Sequence, residues 1–168
     1  QTSEAIFVGE SGTSGLNSLN QDDLGDFDIV NEGLITFINN NSALFGAGGN
    51  LINKGNILVI GAAEGNSIFG TNILGDFLNE AGATLNIDHS LHPQADSNDA
   101  GIRVNGIITN DGNITGRNFF LLGEDFTNNG NINAPDSRIE FEEIFLNNTN
   151  KNMVIGRVIC DSELGDFT

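Results

Sequence analysis

The sequence predicts an all-β fold: a parallel β-solenoid, right-handed, of about six irregular coils. Three observations carry that prediction. A short phrase recurs in which two apolar residues precede Asn, any residue, Gly, any residue and Ile. The copies return at steps that fit one coil each. Between them the apolar pattern alternates with period 2, and no stretch shows the 3.6-residue period of a helix.

The phrase reads Ile29-Val30-Asn31-Glu32-Gly33-Leu34-Ile35, then Leu51-Ile52-Asn53-Lys54-Gly55-Asn56-Ile57. It returns with a stretched turn as Phe77-Leu78-Asn79-Glu80-Ala81-Gly82-Ala83-Thr84-Leu85. Two further copies are Ile108-Thr109-Asn110-Asp111-Gly112-Asn113-Ile114 and Phe126-Thr127-Asn128-Asn129-Gly130-Asn131-Ile132, and Phe145-Leu146-Asn147-Asn148 is a degenerate last copy. From Asn to Asn the steps are 22, 26, 31, 18 and 19 residues. Such a period, with one buried strand pair in each, marks a solenoid. The phrase itself reads as strand, tight turn, strand. Asn and Gly are the residues that most readily take φ > 0, the conformation expected of the turn. Stacked coils bring Asn31, Asn53, Asn79, Asn110, Asn128 and Asn147 over one another, so a structural ladder of side-chain amides is expected.

Residues 1–23 form a leading segment, placed as a cap over the open end of the first coil, since bare strand edges must be covered. Residues 24–168 are the solenoid. A second phrase, Leu24-Gly25-Asp26-Phe27, recurs as Leu74-Gly75-Asp76-Phe77, as Leu122-Gly123-Glu124-Asp125-Phe126 with one residue inserted, and as Leu164-Gly165-Asp166-Phe167. Its Leu and Phe should face the core, its Gly turn a corner and its Asp meet solvent. Ile57-Leu58-Val59-Ile60, Phe119-Phe120-Leu121-Leu122 and Ile139-Glu140-Phe141 read as core strands. Residues 88–100 lack apolar periodicity and should project as a loop. Leu164-Gly165-Asp166-Phe167-Thr168 opens another repeat, and is the candidate assembly edge.

Composition narrows the function classes. The 168 residues include 26 Asn, 22 Gly and only 2 Pro, with Phe as the sole aromatic, which describes many turns between short strands. Acidic residues number 23 against 6 basic, a net charge of −17. Phosphate binding needs clustered Lys and Arg, so nucleic acid is excluded as a partner, and anionic membranes are disfavoured. Salt or divalent cations would relax the self-repulsion, which suits a saline or calcium-containing exterior. The single Cys160 permits no internal disulfide and reads as a buried apolar residue of the strand Val154–Cys160, ahead of the alternative of a bridge between molecules. No apolar run is long enough for a spanning helix. The chain opens on Gln1, read as a mature form left by removal of a leader or as a trimmed form.

Four site readings compete. The repeated Asp26, Asp76, Asp125 and Asp166 could form carboxylate rows that recruit Ca²⁺, although the dense Gly-Gly-x-Gly-x-Asp repeat of calcium-binding β-rolls is lacking. Asp88, His89, His92, Asp96 and Asp99 share one loop, but a transition metal needs three or four converging ligands. Paired carboxylates could serve a polysaccharide-cleaving β-helix. Yet the basic residues Lys54, Arg103, Arg117, Arg138, Lys151 and Arg157 are scattered, and no Tyr or Trp is available to stack on a sugar. Binding to ice or another crystal surface wants regular Thr rows on equal coils; only ten Thr occur, on unequal ones.

The pair of phrases Gly-Asp-Phe-(Thr/Leu)-Asn and Asn-x-Gly-x-Ile resembles secreted, cell-surface β-helical repeat proteins of the Bacteroidetes type. The likeness runs from about Glu4 to Thr168, beginning with the short strand Glu4-Ala5-Ile6-Phe7-Val8-Gly9. It implies a β-helical exterior domain, a mature N-terminus left by signal-peptide cleavage, export through the outer membrane, and a role in surface structure or adhesion. It supplies no catalytic residues.

The functional expectation is therefore a non-enzymatic extracellular scaffold without cofactor, Ca²⁺ aside. It would be a fibre or filament subunit, or the stalk of an adhesin. Its partners would be copies of itself, downstream domains of the same protein, or surface glycans. In the fibre form Leu164–Thr168 meets residues Gln1–Asp23 of a neighbour, a heterologous contact that need not close. The competing class is a carbohydrate-binding or carbohydrate-cleaving β-helix that uses the 88–100 loop.

Overall fold

The computed structural model describes residues 28–38, 43–60, 69–89, 100–148 and 150–160. These build a parallel β-solenoid of six coils, and no helix occurs among them. The first coil contributes β1 (Ile29–Asn31), β2 (Leu34–Ile38) and β3 (Ala43–Ala47). The second contributes β4 (Leu51–Asn53), β5 (Asn56–Ile60) and β6 (Phe69–Ile73). The third has β7 (Phe77–Asn79), β8 (Thr84–Asp88) and β9 (Gly101–Arg103), and the fourth β10 (Ile107–Asn110), β11 (Asn113–Arg117) and β12 (Phe120–Gly123). In the fifth, β13 (Asp125–Asn128) is followed by one long strand, β14 (Asn131–Phe141). The sixth repeats that plan with β15 (Phe145–Asn147) and β16 (Met153–Cys160).

Three faces result. The first stacks β1-β4-β7-β10-β13-β15. The second stacks β2-β5-β8-β11 and continues into the first halves of β14 and β16. The third pairs β3 with β6, crosses from Ile73 to Val104, and runs through β9 and β12 into the second halves of β14 and β16. Thus β14 and β16 turn the corner between the second and third faces without a break, and their register shifts between Ala134 and Arg138. That shift is how two strands absorb a bend while staying paired.

Alternation decides which side chains go inside. On the first face Leu51, Phe77, Ile108 and Phe126 stack in register and are buried. On the second, Ile57, Leu85, Ile114 and Ile132 do the same. On the third, Ile102, Leu121 and Ile139 form the inner column. Identical positions in successive coils fill the same slice of the core, so one apolar phrase repeated suffices to build it. The Phe126 and Phe145 rings stack at 5.6 Å, carrying the column into the last coil.

The Leu-Gly-Asp-Phe phrase follows its pattern in part where it is described. Phe77, Leu122 and Phe126 are buried and Asp76 is exposed, whereas Leu74 and Asp125 are half-buried. The copies at 24–27 and 164–167 begin or lie wholly outside the described residues, as do the leading segment 1–23 and residues 90–99.

Two sequence expectations need correction. The corner glycines of the Asn-x-Gly phrase do not adopt positive φ; among the described residues that conformation belongs to Gly82, Gly116 and Asn118. From the second coil on, Gly is needed at the corner because the preceding coil passes directly against it. A methyl group on Gly130 would overlap Gly112 O, and one on Gly55 would overlap Gly33 O. Only the stretched third-coil turn uses a left-handed glycine, Gly82 at φ 89°. The second correction is Cys160, which is exposed rather than buried. It lies in the last coil opposite Phe141, where no further described coil covers it.

Candidate functional site at the asparagine ladder

The ladder Asn ends each strand of the first face, one position after an outward residue, so its side chain points inward. Asn53, Asn79, Asn110 and Asn128 are wholly buried and Asn31 is 6% exposed. A buried amide is costly unless its hydrogen bonds are made. Here they are. Asn31 Nδ2 donates to Asn53 Oδ1 at 2.8 Å, Asn53 to Asn79 at 2.8 Å, and Asn79 to Asn110 at 2.8 Å. Asn110 Nδ2 donates to Asn128 Oδ1 and Asn128 to Asn147 Oδ1, both at 2.7 Å. These bonds span 22, 26, 31, 18 and 19 residues, the steps read from the sequence.

The second amide hydrogen is used as well. Asn31, Asn53, Asn79 and Asn110 donate to the carbonyls of Asn56, Thr84, Asn113 and Asn131, each in the following coil just past its corner. At Asn31 and Asn128 the Oδ1 also accepts the N–H of Gly33 and Gly130, closing the corner locally. The ladder therefore ties coil to coil and shapes each turn. It also has a direction: every amide donates toward the C-terminal coil.

Among the described residues the ladder ends at Asn147. Asn147 accepts from Asn128 but is exposed, and its Nδ2 has no partner among the described residues. The described residues cover the sixth coil less fully than the others. Val158, in register with the fully buried Ile139, is 42% exposed, and Phe145, Met153 and Ile155 are only partly buried. Strands β15 and β16 each have one neighbour among the described strands.

A second polar column runs beside the ladder, three residues before its Asn in four of the six coils, and sequence reasoning missed its role. Asp28 Oδ1 accepts the backbone N–H of Asn50 at 2.8 Å, and Asn50 Oδ1 accepts that of Asp76 at 2.8 Å. Asp76 Oδ1 takes the N–H of Ile107 at 2.8 Å, and Asp125 Oδ1 that of Ile144 at 2.9 Å. These side chains satisfy strand-entry donors of the next coil. The signal was in the sequence: Asp or Asn stands three residues before Asn31, Asn53, Asn79 and Asn128.

This places half of the candidate Ca²⁺ row. Asp76 and Asp125 share the column but are separated by Ile107, so the structure does not bring them together. Asp26 and Asp166 lie outside the described residues. Among the described residues no group of three or more His, Cys, Asp or Glu side chains is placed to hold a metal ion. Of the 88–100 loop, Asp88, His89 and Ala100 are described; Asp88 is in register with Arg117, and His89 is buried. His92, Asp96 and Asp99 lie outside, as does the assembly edge Leu164, Gly165, Asp166, Phe167 and Thr168.

The scattered basic residues are in part structural. Lys54 Nζ sits 3.7 Å from a Glu80 carboxylate oxygen across the corner. Arg138 pairs with Glu140 and lies over the Phe120 ring, 5.4 Å from its centroid. No helix among the described residues is long and apolar enough to cross a membrane. Compared with known proteins, the chain matches no family model, no curated protein and no solved structure.

Proposed function

We propose that the chain is an extracellular structural protein, a β-solenoid scaffold that serves at the cell surface as a fibre subunit or an adhesin stalk. The observation that carries this reading is the repetition itself. Backbone pairing, apolar core and amide ladder pass in register from coil to coil between Asn31 and Asn147. A solenoid built this way extends by adding another coil, from its own polypeptide or from a neighbour. The strongly acidic surface favours a soluble scaffold whose lateral contacts are weak, leaving the ends as the points of association.

In the fibre form, the C-terminal edge with Leu164–Thr168 meets the leading segment Gln1–Asp23 of the next copy. The contact is heterologous and propagates. Electron microscopy of the purified chain, with and without millimolar Ca²⁺, tests the proposal. Filaments whose axial repeat equals one solenoid, lost on deleting Leu164–Thr168, are the expected result. Filaments unchanged by that deletion would place the joint elsewhere. Discrete particles in both conditions would reject the fibre form and leave the stalk.

A further inference from the structure

We infer that the outer side of the third face is a binding site for an acidic polysaccharide, with Arg103 and Arg157 taking carboxylates of the sugar chain. The inference goes beyond the scaffold reading and holds for a stalk and a fibre subunit alike.

The argument starts from where charge is placed. The strands of this face are β3, β6, β9, β12 and the second halves of β14 and β16. They carry three arginines, Arg103, Arg138 and Arg157, and one acid, Glu140. Half of the six basic residues thus stand on one face of a chain that has 23 acids. Acids stand outside these strands, at Asp136 on one side and at Glu124, Glu142 and Glu143 on the other. Because Ile102, Leu121 and Ile139 point inward, alternation puts all three arginines on the outside, with Phe120, Leu122 and Glu140 among them. Stacking gathers what the sequence scatters.

Two placements call for an anion. Arg138 is in register with Arg157 on the neighbouring strand, about 4.8 Å away along the stack. Like charges directly opposite repel. Glu140, the one carboxylate on these strands, is paired with Arg138. A ligand carboxylate at Arg157 relieves that repulsion and is held by charge-assisted hydrogen bonds, two at once where the guanidinium fork meets both oxygens. Arg138 is fixed in place. A methyl group on Gly101 would overlap the Phe120 ring, so the ring lies against β9, and Arg138 lies over the ring. The second placement is Arg103, which is exposed and in register with Leu122 and, beyond it, Glu140. It stands on the far side of Phe120 and Leu122 from Arg157, so it meets a different carboxylate of the same ligand. Two cationic points across an apolar pair suit a chain whose carboxylates sit on spaced rings.

Other polyanions fit this face less well. Strands β12 and β14 are each paired on both sides, so their backbone offers an extended acidic peptide no free donors. Three arginines on a chain of charge −17 do not supply the row of phosphate contacts that nucleic acid needs.

The test titrates end-labelled oligomannuronate and hyaluronan oligosaccharides with the full chain, read by fluorescence anisotropy in EDTA. Salt is held near 0.15 M, where the Debye length is about 8 Å and long-range repulsion between acidic partners is damped. Saturable binding of at least one oligosaccharide is expected, and none of its carboxyl-reduced form. Arg103→Gln and Arg157→Gln should each weaken binding by about tenfold, the loss of one charge-assisted contact. Arg157→Lys keeps the charge without the fork and should fall between wild type and Arg157→Gln. Lys54→Gln makes the same change in net charge at the ladder corner and should bind as the wild type does. Unchanged circular dichroism confirms the fold of each variant. No binding to either oligosaccharide, equal binding of the carboxyl-reduced forms, or an equal loss in Lys54→Gln overturns the inference. So does tighter binding of a poly-glutamate peptide or of single-stranded DNA. Microscopy of filaments tests the scaffold reading separately, and neither result decides the other.

Discussion

Two corners of the same solenoid are built under opposite rules. At the corner between the first and second faces, four of the six coils turn in two residues, from Asn31 to Leu34, Asn53 to Asn56, Asn110 to Asn113 and Asn128 to Asn131. At the corner between the second and third faces the connection is four residues in the first coil (39–42), eight in the second (61–68), twelve in the third (89–100) and two in the fourth (118–119). In the fifth and sixth coils the strand simply continues. Nearly all the variation in coil length is thus collected at one edge. The lesson is that the ladder amides and the close backbone approach fix one corner, while the other needs only to return the chain in register.

The sharpest way to break that contrast is to remove a central rung. Asn110→Leu strands a buried donor on Asn79, leaves Asn128 Oδ1 with the Gly130 N–H alone, and takes the amide from the part-buried carbonyl of Asn131. An unmet buried group costs about 1–3 kcal/mol, so a loss of roughly 2–4 kcal/mol is expected in chemical denaturation. A loss below about 1 kcal/mol would mean that the ladder accompanies the fold rather than holding it.

The glycines offer a controlled pair at the same corner. Gly130→Ala drives a methyl group into Gly112 O and the Asp111 carbonyl carbon, and should cost about 2–3 kcal/mol. Gly33→Ala, at the equivalent place in the first coil, meets nothing within 4 Å and should change stability by no more than about 0.5 kcal/mol. Equal effects would show that backbone conformation, not contact with the preceding coil, is the reason for glycine.

The pair also shows how much was legible in the sequence. The repeat steps, the ladder positions and the inward columns followed from Asn-x-Gly spacing and period-2 alternation, because in a solenoid each coil's contacts copy its neighbour's. The reason for glycine did not follow: a turn glycine and a close-approach glycine look alike until a neighbouring backbone is placed beside them. The Asp76 and Asp125 side chains were likewise read as solvated or as metal ligands, since the backbone donors they accept belong to the following coil. Cys160 looked buried because its strand is apolar, and exposure depends on whether a coil lies above it. What sequence pattern misses here is contact between coils at positions whose own phrase is ambiguous.

The second polar column sharpens the comparison at smaller energies. Asp76→Ala removes the acceptor for Ile107 N and should cost about 1 kcal/mol, as an exposed hydrogen bond does. Asp76→Asn should be close to neutral, since Asn50 does the same work with an amide oxygen for Asp76 N. Titration of Ca²⁺ against thermal stability separates the roles. A shift present in the wild type and lost in Asp76→Asn would assign the carboxylate to the cation instead.

The smallest effect for the size of the change is expected at the permissive corner, and it can be tested by making a long coil short. Asp88 is in register with Arg117, and Gly101 with Phe120. His89 and Ala100 therefore stack on Asn118 and Phe119, the whole corner of the fourth coil. Backbone hydrogen bonds agree: His89 N donates to Arg117 O at 3.1 Å, and Phe120 N to Ala100 O at 2.8 Å. Excising residues 90–99 should join His89 to Ala100 with the register of β8 and β9 preserved. Closing a shorter loop removes only about 0.6 kcal/mol of entropy per halving of length, so unfolding should shift by no more than about 1–2 kcal/mol. One local demand remains. Asn118 turns this corner with φ 55°, which Asn adopts more readily than His. The excision combined with His89→Asn should therefore exceed the excision alone in stability, and a fall of more than about 3 kcal/mol in both would show that the third-coil insertion is part of the frame.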